Sequence, residues 1–163
     1  MTVLSTRDPG QPLKSILVLC EGNHCRSPIA EALLKSTLGP GVKVESAGLD
    51  ALVGQPADAE VQRILSEAHL DISSHRGRQW SEDMALGADL ILVMDERQKA
   101  ICEASVPSLR GRVFLLSHWL ATPPPEIPDP FLNGSGAARN AFELIRQSVA
   151  HWLPRLEQFQ RPL

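Results

Sequence analysis

The chain has 163 residues, 43% of them hydrophobic and 21% charged, which is enough for one ordinary globular domain with a real core. A formal net charge of -3 excludes the basic excess that a duplex nucleic-acid binder shows, although a local arginine cluster can still meet a phosphorylated partner. No apolar run approaches the roughly 20 residues needed to span a bilayer, so no membrane insertion is expected.

Met1 to Leu13 holds Arg7, Asp8, Pro9, Gly10 and Pro12 without a hydrophobic stretch. It reads as a flexible N-terminal extension (1–13) before a single domain (14–163), and not as a secretory signal. Three cysteines in a chain without an export signal imply free thiols, a reducing compartment and a cytoplasmic location. The Asn133-Gly134-Ser135 sequon then carries no weight.

Ser15 to Leu19 is an unbroken apolar run, the pattern of a strand buried on both faces. It enters the turn-like Glu21-Gly22-Asn23 and then Ser27-Pro28, which predicts a helix with Ser27 as N-cap and Pro28 at its first position. Ala30, Leu33, Leu34 and Leu38 continue with helical spacing. Val42 to Ser46 predicts a second strand, and Val61, Ile64, Leu65 and Ala68 the buried stripe of a second helix. Asp89 to Met94 is a third strand, followed by a helix from Glu96 to about Ala104. Val113 to Leu116 is a fourth strand. After a proline-rich loop, Phe142, Ile145, Val149, Trp152 and Leu156 mark a terminal helix that Pro154 should bend or interrupt. Strands alternating with helices predict an α/β fold, a doubly wound four-stranded parallel sheet with helices on both faces. Ligands of such sheets bind beyond the carboxyl ends of the strands, where the loop after Cys20 lies.

That loop is Cys20-Glu21-Gly22-Asn23-His24-Cys25-Arg26-Ser27. A short loop running into a helix N-terminus offers backbone N–H groups to an anion, and Gly22 and Asn23 are residue types that accept positive φ. Arg26 can grip two phosphate oxygens with one planar guanidinium. The same positive surroundings favour the thiolate of Cys20, the form that attacks phosphorus. A Walker loop is excluded because its Gly-Lys-Ser/Thr ending is missing. A zinc site made of Cys20, His24 and Cys25 lacks a fourth ligand at a convincing spacing, so no metal is expected.

The motif resembles the Cys-x-Gly-Asn-x-Cys-Arg-Ser signature of the low-molecular-weight protein tyrosine phosphatases. Ser46-Ala47-Gly48, His75-Arg76-Gly77-Arg78-Gln79, Val93-Met94-Asp95 and Asp129-Pro130-Phe131 follow in family order. Ala51-Leu52-Val53-Gly54, Gly111 to Trp119 and Glu126 to Pro130 resemble in particular the bacterial subgroup paired with tyrosine autokinases of polysaccharide export.

The resemblance implies hydrolysis of phosphotyrosine through a phosphocysteine intermediate, without a metal or organic cofactor. Cys20 would be the nucleophile, Arg26 the phosphate and transition-state clamp, and Asp129 the general acid that protonates the leaving oxygen and then activates water. Glu21, Gly22, Asn23, His24, Cys25 and Ser27 would form the phosphate-binding loop, with Ser46 and His75 supporting it. Ala51, Leu52 and Phe131 would form the substrate rim. Cys25 matches a second loop cysteine able to form a protective disulfide with the nucleophile, whereas Cys102 falls in a predicted helix. The implied partner is a phosphotyrosine-bearing protein, such as the tail of a membrane tyrosine autokinase.

Three departures from the family pattern bear on substrate. His24 stands where tyrosine-directed members carry isoleucine and a phosphoarginine-directed group carries threonine. Gly77 replaces a usual alanine, read as a minor loosening. The chain contains no tyrosine, and Phe131 takes the place of one that is phosphorylated in other members. A protein arginine phosphatase is the alternative reading on this fold. An arsenate reductase is disfavoured because Cys102 is the one further thiol available for exchange.

Overall fold

The computed structural model describes residues 11–131, 133–134 and 136–158. Most of the expected N-terminal extension and Ser135 of the sequon lie outside them. Leu13, assigned to that extension from sequence, is buried in the core.

Four strands, β1 (Ser15–Cys20), β2 (Lys43–Gly48), β3 (Leu90–Val93) and β4 (Val113–Leu115), form one sheet in the order β2-β1-β3-β4. Every pairing is parallel, with Cys20 opposite Gly48 and Ile16 opposite Leu90. The helices are α1 (Arg26–Leu38), α2 (Ala59–Glu67), α3 (Glu82–Leu86), α4 (Glu96–Ser105) and α5 (Ala137–Gln158), with a 3₁₀ turn at Pro107–Leu109. The doubly wound parallel sheet expected from the alternation of strands and helices is the observed one.

Period-two alternation divides the apolar side chains of the strands between two cores. Ile16, Val18, Leu90 and Leu92 pack with Ile29 and Leu34 of α1, Val61 and Ile64 of α2, and Ile145 and Trp152 of α5. Leu17, Leu19, Ile91 and Val93 pack on the other face with Ala85 of α3, Cys102 of α4 and Leu109. Because the strands are buried from both sides, they appear in the sequence as continuous apolar runs. Trp152 is anchored by its indole N–H, which donates to Leu116 O at 2.7 Å.

Several local expectations are corrected. α1 starts at Arg26, two residues early, so Ser27 lies inside the helix and Cys25 occupies the N-cap without a capping side-chain bond. The Ser27 hydroxyl is engaged elsewhere, with Cys20 and Asn23. Ala68 is the exposed C-cap of α2 and not part of its buried stripe. α5 continues through Pro154 to Gln158. α3 and the 3₁₀ turn carry too few residues to show a period in the sequence.

The chain passes from β1 to β2 on one side and then crosses back to β3 on the other, so the direction of winding reverses at β1. Its carboxyl end, Cys20, is therefore the switch point at which a crevice opens. Gly48, at the same level on β2, is forced by close approach. A Cβ there would lie 2.6 Å from Glu21 O, 2.8 Å from Asn23 N and 2.9 Å from Gly22 C, all backbone atoms.

Gly48→Ala should consequently destabilise the fold by about 1–3 kcal/mol through overpacking. Urea unfolding measures it, and an unchanged midpoint would show that the loop has more room than the geometry gives it.

Candidate active site

The loop between β1 and α1 is arranged so that its carbonyl groups face away from the crevice and are all occupied. Cys20 O accepts from Leu49 N, Glu21 O from Asp50 N, Gly22 O from Leu52 N and His24 O from Asp58 N, at 2.9–3.0 Å. Asn23 O accepts from His75 Nε2 at 2.8 Å, and Cys25 O from Ile29 N at 3.3 Å. In a trans peptide the next N–H points opposite to its carbonyl. The N–H groups that follow these carbonyls are thus turned the other way, toward the crevice, and those of Glu21 to Cys25 have no acceptor among the described residues. This is the arrangement of a backbone nest for an anion.

Asn23 holds the loop in that shape. It is 1% exposed and has φ 52°, a left-handed conformation that costs a non-glycine residue energy unless its surroundings fix it. Its amide nitrogen donates to Ser27 Oγ and to Ser46 Oγ, both at 2.9 Å. Its Oδ1 accepts from Arg78 N at 3.0 Å. Gly22, the other expected positive-φ residue, is not in that region, and a Cβ on it would make ordinary contacts with His24 and Leu52. Asn23 carries the turn alone because its side chain bonds on both sides of the loop.

The sequence pointed to Ser46 and His75 as support, and both touch Asn23. Arg78 was missed as an individual residue. Its backbone N–H holds Asn23, its Nε donates to Ser46 O at 2.9 Å, and its guanidinium pairs with Glu45 at 3.4 Å. A main-chain donor leaves no signal in residue type.

The reacting groups surround a cavity of about 190 Å³ lined by Cys20, Glu21, Gly22, His24, Cys25, Arg26, Asp50, Leu52, Asp129 and Phe131. Cys20 Sγ lies 3.0 Å from Ser27 Oγ. Since Ser27 Oγ already accepts from Asn23, its own hydrogen is free to point at the sulfur. Arg26 is 3% exposed, with Nη1 donating to Ile127 O at 2.8 Å and Nη2 lying 3.4 Å from Asp129 Oδ2. Its Nε is buried without a partner among the described residues, a free donor suited to an anion.

Asp129 reaches the cavity from a loop pinned at the ends of β3 and β4. Ile127 N donates to Met94 O at 3.0 Å, Ser117 Oγ donates to Pro125 O, and Glu96 N donates to the Glu126 carboxylate at 2.8 Å. Asp129 Oδ1 accepts from Phe131 N at 3.0 Å, so this side chain is oriented while remaining half exposed. Glu21 extends outward to an ion pair with Arg97 of α4.

Leu52 (40% exposed) and Phe131 (50% exposed) are the exposed apolar residues of the cavity lining. Ala51 does not line the cavity; its N–H donates to Gln79 Oε1 at 2.9 Å, and Asp50 stands at the wall instead. Gly77 is not a loosening. A Cβ there would fall 2.2 Å from Leu52 O, and Gly54 N donates to Gly77 O at 2.8 Å, so glycine lets the rim segment lie against the chain at 77.

All three cysteines are free and buried. Burial pushes the Cys25 thiol up to about 12, with the charges of Asp58, Cys20 and Asp129 acting in the same direction and Arg26 against them. Burial likewise raises Cys102, to about 11.

The family model of the low molecular weight phosphotyrosine protein phosphatases matches residues 15–161. The chain is 42% identical over 144 residues, 88% of its length and 97% of the relative's, to the probable low molecular weight protein-tyrosine-phosphatase EpsP of Ralstonia nicotianae. It is similar in structure to the tyrosine phosphatase Wzb from Escherichia coli K30 in complex with sulfate, with TM-score 0.82, 38% identity and coverage of 88% and 99% of the two chains. The YwlE arginine phosphatase from Geobacillus stearothermophilus matches at TM-score 0.83 with 29% identity, covering 90% and 95%. A family match over nearly the whole chain, together with 42% identity to a full-length relative, shows that the chain belongs to the low molecular weight phosphotyrosine protein phosphatases.

Proposed function

We propose that this protein hydrolyses phosphotyrosine in proteins through a phosphocysteine intermediate formed on Cys20. The observation that carries the reading is the ring of outward-bonded carbonyls from Cys20 to Cys25, which leaves a set of N–H donors around the sulfur. That the Wzb relative is in complex with sulfate, a tetrahedral oxyanion like phosphate, supports the reading.

In the first step the Cys20 sulfur attacks phosphorus in line, and the P–O bond to tyrosine breaks. The three non-bridging oxygens lie against the loop N–H groups and the Arg26 guanidinium, which offset charge where it develops. Asp129 donates a proton to the departing tyrosine oxygen. In the second step Asp129 takes a proton from water, the water oxygen attacks phosphorus, and the sulfur leaves as a thiolate stabilised by the Ser27 hydroxyl. Arg26 links the steps to the proline-rich loop, because it touches both Ile127 O and Asp129. Donors and charges of the chain supply the electrostatic stabilisation, so turnover should survive EDTA.

The substrate ring would stand between Leu52 and Phe131, aliphatic on one side and aromatic on the other. Tyrosine over arginine phosphate is favoured by sequence identity, 42% to EpsP and 38% to Wzb against 29% to the arginine phosphatase, whose fold matches equally well. The partner fitted by this reading is a phosphotyrosine segment of a tyrosine autokinase, and the place of action is the cytoplasm. Among the described residues no helix is long and apolar enough to cross a membrane.

Hydrolysis of p-nitrophenyl phosphate in EDTA, compared between wild type and two variants, tests the mechanism. Cys20→Ser should abolish turnover. Asp129→Ala should lower kcat by about 10²–10⁴-fold on a phosphotyrosine peptide and by less on p-nitrophenyl phosphate, whose leaving group needs less help. Full activity in Cys20→Ser would end the assignment, and phosphoarginine turned over faster than phosphotyrosine would reverse the substrate.

The thiols should also separate by reactivity. With Cys25 and Cys102 held at about 12 and about 11, iodoacetamide at neutral pH should label Cys20 and spare both others. Inorganic phosphate should slow the labelling. Mass spectrometry reads the sites, and equal labelling of Cys25 would contradict the burial argument.

For the rim, Gly77→Ala should push the Leu52 segment outward, raising KM for aryl phosphates several-fold, about 1 kcal/mol of lost binding, with kcat nearly kept. An unchanged KM would show that Leu52 does not touch the substrate.

A further inference from the structure

His24 is where this loop departs most from the family pattern, and its ring is held in place. Nδ1 lies 3.1 Å from Pro56 O. A carbonyl oxygen can only accept, so Nδ1 carries the proton of the neutral ring and Nε2 presents its lone pair. Nε2 is 3.8 Å from Asp58 Oδ2. One ligand atom each from His24, Cys25 and Asp58 lies within 4.8 Å of the others. Ligands of one tetrahedral zinc ion, at their usual bond lengths, stand roughly 3.3–3.8 Å apart. The three groups are therefore within a small side-chain adjustment of that geometry.

Each is also supported from behind, as metal ligands are. Pro56 O fixes the His24 tautomer. Asp58 is the N-cap of α2, where its Oδ1 accepts from Glu60 N at 2.9 Å and Val61 N at 3.1 Å, leaving Oδ2 free to face the cluster. Asp58 N donates to His24 O at 3.0 Å, tying the two segments together. Cys25 is fixed at the start of α1 and is 5% exposed. Reading Cys20, His24 and Cys25 as neighbours in sequence gave no convincing fourth ligand; Asp58, from the far side of β2, is the carboxylate that the fold adds.

We propose that His24, Cys25 and Asp58 form a Zn²⁺ site in the wall of the phosphate pocket, and that zinc bound there inhibits turnover. His24 and Cys25 both line the pocket, so the ion stands beside the nucleophile. Binding forms a Zn–S bond to Cys25, and its thiol proton passes to solvent. The fourth position is open to water or to the Cys20 thiolate, a soft anion that zinc would hold back from phosphorus. Zinc binding stands independently of the phosphatase reading, whereas its inhibitory effect rests on it.

The test uses the whole chain, stripped of metal with a chelator and titrated with Co²⁺ as a spectroscopic stand-in, then with Zn²⁺ against a chromophoric chelator. Expected are one equivalent bound, tetrahedral cobalt bands with a sulfur-to-cobalt charge-transfer band, and loss of turnover that EDTA restores. Asp58→Asn, which keeps a good N-cap, and His24→Ile should each weaken zinc about tenfold or more. The unfolding midpoint of each variant reports whether it is folded. Full zinc affinity in both folded variants, or no sulfur-to-cobalt band, would overturn the site. Zinc bound at the site with turnover untouched would overturn the inhibition. Inactivity of the metal-free protein would count against the phosphatase reading, while the cobalt spectrum would still decide the site.

Discussion

Everything in the site depends on the direction of a few peptide planes. From Cys20, the last residue of β1, to Cys25, six successive carbonyls bond outward, to the segment after β2, to His75, to Asp58 and to the first turn of α1. Planarity then leaves the N–H groups no direction but inward. Such a turn is unfavourable by itself, because it spends one residue in the left-handed region and gathers N–H dipoles of like sense. It persists because Asn23 bonds to Ser27, Ser46 and Arg78 at once, so no single local fluctuation releases it.

A second constraint couples two loops that are far apart in the chain. Arg26 is almost wholly buried, yet its bonds run to Ile127 and Asp129 on the proline-rich loop. A buried guanidinium is stable only when its donors are met. The carbonyl of Ile127 meets one, the carboxylate of Asp129 lies by another, and Nε remains for an anion. In the proposed mechanism, the group that grips phosphate thus also holds in place the loop that carries the proton donor.

Much of this was legible in the sequence, for identifiable reasons. The strands were readable because both faces are covered, which turns them into apolar runs such as Leu90 to Val93. Cys20, Arg26 and Asp129 stood out because their chemistry is carried by side chains within recognisable spacing. Less visible was everything that acts through main chain or through emptiness. Arg78 supports Asn23 with its N–H, and Gly48 and Gly77 contribute by lacking a Cβ. Ser27 looked like a helix cap because its residue type and Pro28 fit one; a hydroxyl shared between a sulfur and an amide shows no different signature. Gly22 and Asn23 were both expected at positive φ, and Asn23 alone adopts it. Asp58 is an ordinary N-cap until the fold brings it beside His24.

The half-exposed ring of Phe131 has a consequence beyond packing. It gives the rim an aromatic surface without the hydroxyl that a tyrosine kinase would need, and the whole chain is free of tyrosine. A molecule built to erase one chemical mark therefore offers nowhere for that mark to be written on itself. No kinase can mark this chain on tyrosine, since it holds none. An eraser without the letter it erases stays outside its own reaction: it can be neither product nor substrate of a second copy of itself.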